Sequence, residues 1–403
     1  MEKESPYRIE RLETLAQLDT LELEWKELID GIPDAPVFLT WEWIRTWWSF
    51  FGKDNQLWLL TARDSQERLL GLAPLMVEQK KIGLTNLRVI SFIGIGLTHP
   101  VHLDILTHQS DQEGLVQAFL DYLLSRSNLW DVIKFTPVAK DSVLYKLLST
   151  AKGVFRLGIK TTNVYVTLPG DWETYSKTLT KKLRRNLKYF RSKLDSDYPG
   201  GVSFSYITDP RELHDVMKKL EELNKERWHS KQRISNFAYS NYSDFHQAFA
   251  KMALERGWLR LNQLTTSGHS IAICYNFRFH DRIYANAIGF DLDWSGYSPG
   301  RLAIANSFQT SIQERAIEYN WLGGDEAYKF AWSDQVRVEN ELLFSKNWRG
   351  ALWIKWRSFT QVSRDILTTK ARQWIPQTTR ERFNQFLYRM HRKMERQDDK
   401  DSG

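Results

Sequence analysis

Two stretches far apart in the chain share one pattern: a strand, a polar turn and a second strand rich in small residues. LWLLTARDSQERLLGLAPLMV, residues 57–77, parallels WLRLNQLTTSGHSIAICYNFRF, residues 258–279. Amphipathic helices precede each predicted hairpin, and a helix–strand segment follows it. The pattern favours a duplicated α+β unit, and coincidence is the alternative, because hairpins are common. Duplication would restrict the fold to two similar units, each with a mostly antiparallel sheet flanked by helices.

Local signals place the helices within this frame. Ser110-Asp111-Gln112-Glu113 reads as a capping box, and Asp209-Pro210 combines a cap residue with proline at the first helical position. Residues 171–194 are predicted to form one long helix, and residues 299–318 another. A length of 403 residues is enough for two domains of ordinary size.

Several features limit where the chain can work. No apolar run is long enough to span a membrane, and the N-terminal residues lack the basic start and apolar stretch of a signal peptide. The single cysteine, Cys274, excludes an internal disulfide and a cysteine-rich zinc site. We therefore expect a cytoplasmic protein, with the surface of a membrane as the alternative location.

The net charge of +7 is concentrated at the C-terminus. Residues 341–403 contain 14 Lys and Arg against 7 Asp and Glu, which accounts for the whole excess and leaves residues 1–340 neutral. A protein that binds nucleic acid over its whole surface would be basic throughout. Nucleic acid is therefore not an expected partner, apart from tRNA in one alternative below.

Motif searches identify no strong catalytic signature. G-x-S-x-G, H-E-x-x-H, the P-loop and the Rossmann fingerprint are all absent. Gly94-Ile95-Gly96 suits a turn at a strand end better than a phosphate cradle. His99, His102 and Asp104 lie close together in sequence, but no second cluster supports them, so no metal site is predicted.

Residues 289–301 join a predicted strand to a predicted helix. Pro299 suits the first helical turn, Gly300 permits a ligand to approach the backbone, and Arg301 adds positive charge. Unpaired N–H groups at a helix start bind phosphate, so the segment could hold a pyrophosphate. The alternative is an ordinary helix start capped by Ser298.

Two further segments carry candidate functional side chains. Residues 177–193 contain eight Lys and Arg and no acid, with leucines at helical spacing, which predicts an amphipathic helix with a cationic face. That face could bind an anionic substrate, nucleic acid or cofactor phosphates, or simply be solvated.

Residues 323–332 place Asp325, Tyr328 and Lys329 after two glycines. These side chains could supply a base, an acid and a contact for an anion. The alternative is an ordinary polar loop.

Four segments together resemble a known family. KLRRNLKYFRSKL, KERW, YANAIGFDLDWSGYSPGRLAIANS and GGDEAYKFAW occur in this order between residues 182 and 332. Their order is similar to that in tandem GNAT-type acyltransferases, in particular the CelD branch associated with cellulose biosynthesis, which is related to the FemAB aminoacyl transferases. The resemblance covers most of residues 8–340 and is clearest in 171–333.

The resemblance implies an α+β fold with two GNAT-like domains. We expect an N-terminal domain at 1–155, an acyl-donor domain at 156–340 and a basic, Trp-rich helical tail at 341–403. It also implies that a loop between a strand and a helix wraps the pyrophosphate of acyl-CoA. The matching donor-binding residues are Tyr297, Ser298, Gly300 and Arg301.

The chain departs from the family in this loop, which lacks the form R/Q-x-x-G-x-G/A. The donor is therefore open among acyl-CoA, which we expect, acyl-tRNA and another thioester carrier. Tyr328 and Lys329 match the family pattern. The expected catalytic residues are Tyr328 and Asp325, and the expected substrate-binding residues are Lys329, Arg184 and Arg185.

The sequence thus predicts an acyltransferase that moves an acyl group from a thioester to an amine or hydroxyl. By the resemblance, the acceptor is a sugar, a sugar nucleotide or another cell-envelope precursor bound between the domains. The alternatives are an aminoacyl-tRNA-dependent transferase and a catalytically silent scaffold in polysaccharide synthesis.

The tail carries a separate prediction. Trp348, Leu352, Trp353 and Trp356 recur at helical spacing with cations between them. Aromatic, cationic helices favour the surface of an anionic membrane. The alternative is that these residues pack on the body of the protein or on a partner chain.

Overall fold

The structure is a computed structural model that describes residues 6–82, 85–151, 154–324 and 326–359. The first half contains six strands and five α-helices among the described residues. They are β1 (Arg8–Leu12), α1 (Leu15–Thr20), α2 (Glu22–Asp30), α3 (Trp41–Phe51), β2 (Asn55–Arg63), β3 (Leu69–Ile82), β4 (Thr85–Phe92), β5 (Leu106–Thr107), α4 (Gln112–Ser125), β6 (Val132–Ala139) and α5 (Val143–Thr150).

The second half repeats this arrangement with longer helices. Its elements are β7 (Val154–Thr167), α6 (Trp172–Thr178), α7 (Lys181–Asp197), β8 (Val202–Tyr206), α8 (Pro210–Ser230), α9 (Ser240–Glu255), β9 (Leu259–Thr266), β10 (His269–Phe279), β11 (Arg282–Phe290), α10 (Pro299–Gln313), β12 (Glu318–Gly323) and β13 (Val336–Phe344). A further helix begins at residue 348, and the described chain ends within it at residue 359.

All of these strands join one sheet, in the order β1-β2-β3-β4-β6-β13-β7-β12-β11-β10-β9-β8, with β5 paired to β3. Neighbouring strands are antiparallel except for β4 with β6 and β11 with β12. In both halves, therefore, an antiparallel hairpin leads to a strand, a helix and a parallel strand. This repetition confirms the predicted α+β class with two similar units.

β13, the last described strand in sequence order, lies in the middle of the sheet and connects the halves. β13 pairs antiparallel with β6 on one side and with β7 on the other. It continues to Phe344, past the point between residues 340 and 341 where the sequence places the start of a tail. Residues 360–403, most of that predicted tail, lie outside the described residues.

Alternate residues of β10 face two different cores, as the period of a strand requires. Ile273, Tyr275 and Phe277 point toward α8 and α9, into a core shared with the first half. Ala272 and Cys274 point toward α6, α7 and α10 on the other face. The helices above and below the second half thus bound two separate surfaces.

A cluster of aromatic rings joins the halves on the first of these faces. Trp43 of α3 is fully buried, and its ring centroid lies 4.6 Å from that of Phe249 and 5.0 Å from that of Phe245, both on α9. Edge-to-face packing at such distances stabilises a core beyond its buried area.

Three predicted helix boundaries were wrong. The helix expected at 171–194 is two helices, because Thr180 caps a new N-terminus by accepting a hydrogen bond from the Leu183 N–H. The helix that begins at Pro299 ends at Gln313. In place of a capping box at 110–113, Asp111 alone caps α4.

Candidate active site

The parallel pair β11 and β12 opens partway along its length. The two strands pair only from Arg282 to Tyr284 and from Glu318 to Asn320. Beyond this point β12 is irregular, with a register shift against β7 and a left-handed backbone at Leu322, where φ is +59°. The separation leaves a gap in the sheet through which a ligand can contact backbone polar groups.

A buried ion pair fixes the closed end of this gap. The Arg337 guanidinium donates two hydrogen bonds, of 2.8 and 2.7 Å, to the two carboxylate oxygens of Glu318 at the start of β12. Burial alone would raise the pKa of Glu318, but Arg337 outweighs that effect and the pKa is lowered. The bidentate geometry holds β12 and β13 in a fixed relation below the gap.

The gap opens into a cavity of about 770 Å³ that lies between the halves. Its walls come from both units, and the polar residues lining it include Glu78, Lys80, Lys134, Asn224, Arg227, Glu326, Tyr328 and Lys329. The sequence-predicted Tyr328 and Lys329 therefore share one cavity, which is large enough for a small-molecule substrate.

Arg227 of α8 is the most unusual group in this cavity. Its side chain is buried, and its Nε–H has no hydrogen-bond partner in the described part of the chain. The guanidinium carbon lies 5.3 Å from the ring centroid of Phe290 and 5.4 Å from that of Tyr328, while Nη1 makes a 3.4 Å contact with the carbonyl oxygen of Ile288. A buried cation with an unused donor is costly unless an anion binds it.

Tyr328 lies between Arg227 and the aromatic wall of the cavity. Its ring centroid is 5.7 Å from that of Trp321. Burial raises the pKa of Tyr328 to about 12, although the neighbouring Arg227 acts in the opposite direction. The phenol is therefore protonated at neutral pH and can donate a proton or a hydrogen bond.

Lys329 is buried and turned toward its own loop. Its Nζ donates a hydrogen bond of 2.9 Å to the carbonyl oxygen of Gly323 and lies 2.8 Å from Oε2 of Glu326. These contacts anchor the segment after β12, so Lys329 positions this loop at the cavity wall. Asp325, the predicted base, lies outside the described residues.

The wall from the first half contributes a lysine that the sequence analysis missed. Lys134 lies on β6, and burial, reinforced by Lys80, lowers its pKa to about 8. Lys80 itself pairs with Glu78 at 3.2 Å. A lone lysine within the apolar strand DVIKFTPVA was the available signal, and Arg227 lies within the KERW segment.

The predicted donor loop lies at the start of α10. Ser298 has a left-handed backbone with φ of +51°, and its side chain makes no capping hydrogen bond. The Tyr297 hydroxyl donates a hydrogen bond of 2.8 Å to Asp197 of α7, and Arg301 is exposed. The Arg301 and Leu302 N–H groups both donate to the Ser298 carbonyl oxygen, which leaves the Gly300 N–H to face an anion at this helix start; that role stays a prediction.

Gly300 has a packing role that the sequence did not indicate. A Cβ at this position would lie 2.7 Å from Cδ1 of Phe290, closer than carbon atoms can approach without a shift. The absent side chain therefore makes room for Phe290. Whether Gly300 also lets a ligand approach the backbone stays a prediction.

Arg184 and Arg185 are not in the cavity with Tyr328. Arg184 lines a separate groove of about 500 Å³ between α6, α7, β8 and α10, together with Lys188 and Arg191. Because α7 and α10 cover the opposite face of the sheet from α8, this groove and the cavity are on different faces. Arg185 is exposed and does not line the groove.

No group of three or more His, Cys, Asp or Glu residues within the described ranges is arranged to hold a metal ion. His102 instead lies 2.8 Å from Glu339 through its Nδ1. His102 lies in the loop between β4 and β5, and Glu339 lies on β13.

Comparison with known proteins gives this geometry a context. Residues 181–330 match the family model described as an acetyltransferase (GNAT) domain. These residues include α7, the β11–β12 gap, the α10 N-terminus and Tyr328. No curated protein matches the chain.

Solved structures resemble nearly the whole described fold. The crystal structure of FemX has a TM-score of 0.56 at 12% identity, covering 84% of this chain and 98% of that chain. A conserved protein of unknown function from Bacteroides thetaiotaomicron VPI-5482 has a TM-score of 0.50 at 13% identity, covering 84% and 100%. The C-terminal domain of a putative lysylphosphatidylglycerol synthetase from Agrobacterium fabrum has a TM-score of 0.50 at 11% identity, covering 83% and 94%.

At these identities the likeness concerns the fold alone. Together with the GNAT-domain match at residues 181–330, it confirms the predicted GNAT-like architecture. Residues 181–330 thus match a GNAT-type acetyltransferase domain and lie within a larger fold similar to that of FemX.

Proposed function

We propose that this protein transfers an acyl group from a thioester, acyl-CoA in the first instance, to an amine or hydroxyl of a sugar or other cell-envelope precursor. The observation that carries the proposal is the β11–β12 gap, which opens directly into the cavity that contains Tyr328 and Arg227. The GNAT family match covers this gap and supports acyl transfer. The CelD-like role in polysaccharide synthesis rests on the sequence resemblance.

In this proposal the donor lies along the face of α10 and presents its acyl group through the gap. The acceptor lies in the cavity and attacks the thioester carbonyl carbon, and the carbon–sulfur bond breaks. A base takes the acceptor's proton, and Tyr328 donates a proton to the departing thiolate. Backbone N–H groups at the gap stabilise the developing oxyanion, and no covalent enzyme intermediate is required.

Two groups are candidates for the base. Asp325 is the candidate from the sequence. Lys134 is the candidate from the structure, because a pKa of about 8 gives a substantial neutral fraction near physiological pH. An amine acceptor could lose its proton to either group before or during attack.

The charges of the cavity suggest that the acceptor is anionic. Its two acids, Glu78 and Glu326, already pair with Lys80 and Lys329. Arg227 then remains as a cation without an ion-pair partner among the described residues, and Lys134 adds a second positive charge in its protonated fraction. A phosphate or carboxylate on the acceptor would balance them, as in a sugar nucleotide.

A thermal-shift screen tests the proposal, because a ligand that binds the folded state raises the apparent melting temperature. The full chain is screened with acyl-CoAs, free CoA, UDP-sugars, neutral sugars and tRNA. Each thioester that raises the melting temperature is then assayed for acyl transfer to each acceptor that does so. We expect a shift with an acyl-CoA and with an anionic sugar. A lack of response to every thioester and nucleotide would favour the scaffold alternative.

The anionic-acceptor step has its own variant. Arg227→Gln should weaken binding of the anionic acceptor by roughly tenfold to a hundredfold, the scale of one charge-assisted hydrogen bond. Lys218→Gln, an exposed change on the same helix, is the matched control. Equal affinities of the two variants would remove Arg227 from the site.

One observation favours a second candidate function, aminoacyl transfer from tRNA. The groove on the opposite face presents Arg184, Lys188 and Arg191 from one side of α7, and the fold is similar to that of FemX. Such a cationic surface suits a nucleic-acid backbone. tRNA binding that weakens steeply with salt, and that requires Arg184, would favour this alternative over acyl-CoA.

A further inference from the structure

The helix at residues 348–359 is fixed to the sheet along one face. Trp353 and Ile354 are buried in a small core with Leu87, Val89 and Val132. Asn347 caps the start of the helix by accepting a hydrogen bond of 2.9 Å from the Gly350 N–H, and it donates one of 3.1 Å to Asp131. The helix is therefore docked on the face of β4 and β6 that also carries Lys134, because Val132 and Lys134 lie two residues apart on the same strand.

The opposite face of this helix is strongly apolar and exposed. Trp348 is 76% exposed, Leu352 60% and Trp356 58%. Their spacing of four residues places the three side chains in one stripe along the helix. Contiguous exposed apolar side chains of this size on a folded surface mark a site of interaction.

The residues around the stripe in sequence include basic side chains and no acidic ones. No Asp or Glu occurs between Leu342 and Ser363, whereas Lys346, Arg349 and Lys355 surround the stripe. Lys346 and Arg349 donate to the backbone carbonyl oxygens of Leu124 and Asn86, contacts that leave their positive charge in place. The surface is thus complementary to a dense layer of negative charge.

We propose that this outer face of the 348–359 helix docks the protein on the surface of an anionic lipid bilayer. Tryptophan rings prefer the depth of the headgroups, and nearby cations are attracted to anionic lipids. A protein partner would supply specific acidic side chains, whereas a stripe of two tryptophans and a leucine bordered only by cations needs no such partner. Each helix in the described ranges is too short or too polar to span a bilayer.

A fluorescent probe tests whether the stripe contacts the lipid of anionic vesicles. Leu352→Cys in the full chain is labelled with an environment-sensitive fluorophore, since the native Cys274 is buried and slow to react. Leu23→Cys is the matched control, because Leu23 is 74% exposed on α2 and is not part of the stripe. We expect a blue shift at position 352, but not at 23, with phosphatidylglycerol-containing vesicles, and its loss in high salt or with neutral phosphatidylcholine vesicles.

Sedimentation with the same vesicles gives an independent measure. Trp348→Ser with Trp356→Ser should lower the bound fraction at equal lipid by roughly tenfold or more, while Leu23→Ser should bind as the unaltered chain does. Equal melting temperatures would show that the variants are folded. Undiminished vesicle binding by the double variant would overturn the proposal, and so would a blue shift at position 352 without vesicles, which would mean that residues 360–403 or a second copy covers the stripe.

Discussion

At the scale of single residues, the site shows which signals a sequence carries and which it does not. Tyr328 and Lys329 were identifiable from a short polar segment after two glycines, and the structure places both at the cavity. Arg227 was not singled out, because a lysine- and glutamate-rich helix such as α8 gives no sign of which charged side chain is buried. Its burial depends on Phe290 and Tyr328, which are distant in sequence.

Tyr328→Phe tests the proposed proton donor. The change removes one hydroxyl from a group whose pKa is about 12 and leaves the ring packed beside Trp321. Loss of a general acid should lower kcat by roughly 100-fold or more with little change in stability. Tyr189→Phe, on the exposed part of α7, is the control, and equal kcat values for both variants would contradict the assignment.

The buried His246 should make the stability of the fold depend on pH, independently of catalysis. Burial lowers its pKa to about 3, so below pH 6.5 the unfolded chain binds a proton that the folded chain does not. The free energy of unfolding should therefore fall with decreasing pH by up to about 1.4 kcal/mol per pH unit from this group. His246→Phe should lack this component, as urea unfolding at pH 7 and pH 5 would show; identical slopes for both proteins would mean that His246 is protonated in the fold.

At the scale of elements, local chemistry predicted helix starts better than helix ends. Asp209 with Pro210 and the residues near Pro299 marked true starts, because capping depends on side chains next to the terminus. The break between α6 and α7 was missed, since Thr180 reads as a cap only once the chain is seen to turn there. The β11–β12 gap was also beyond the sequence, because it arises from pairing between separate strands.

Gly300→Val tests the packing of α10 against β11. A side chain at this position meets Phe290 at 2.7 Å, so we expect the free energy of unfolding to fall by about 1–3 kcal/mol, as for other overpacked sites. Gly296→Val is the control, since a Cβ there has no neighbour within 4 Å among the described residues. If both variants unfold at the same urea concentration, the Phe290 side chain moves aside at no measurable cost. Donor binding is then better tested with Arg301→Ala, a change at an exposed residue.

At the scale of the whole molecule, the duplication read from the sequence corresponds to two halves of one sheet. The part that sequence could not predict is how they join. β13 is the last strand in the described part of the chain, yet it pairs with β6, about two hundred residues earlier. The change to a basic composition at residue 341 concealed this pairing, because charge reports the solvent-facing residues and says little about strand order.

The joining strand leads to a prediction about truncation. A chain ending at residue 340 lacks Leu342, Leu343 and Phe344, which pair with both β6 and β7, and also lacks the buried Trp353 and Ile354. We expect residues 1–340 to aggregate or unfold, because β6 and β7 would lose their partner over residues 133–135 and 154–158, in the middle of the sheet. Residues 1–359 keep these contacts and should melt cooperatively near the temperature of the full chain. Circular dichroism and size-exclusion chromatography of the two truncations provide the comparison, and a stable, monomeric 1–340 fragment would show that the halves hold together through the Trp43 cluster alone.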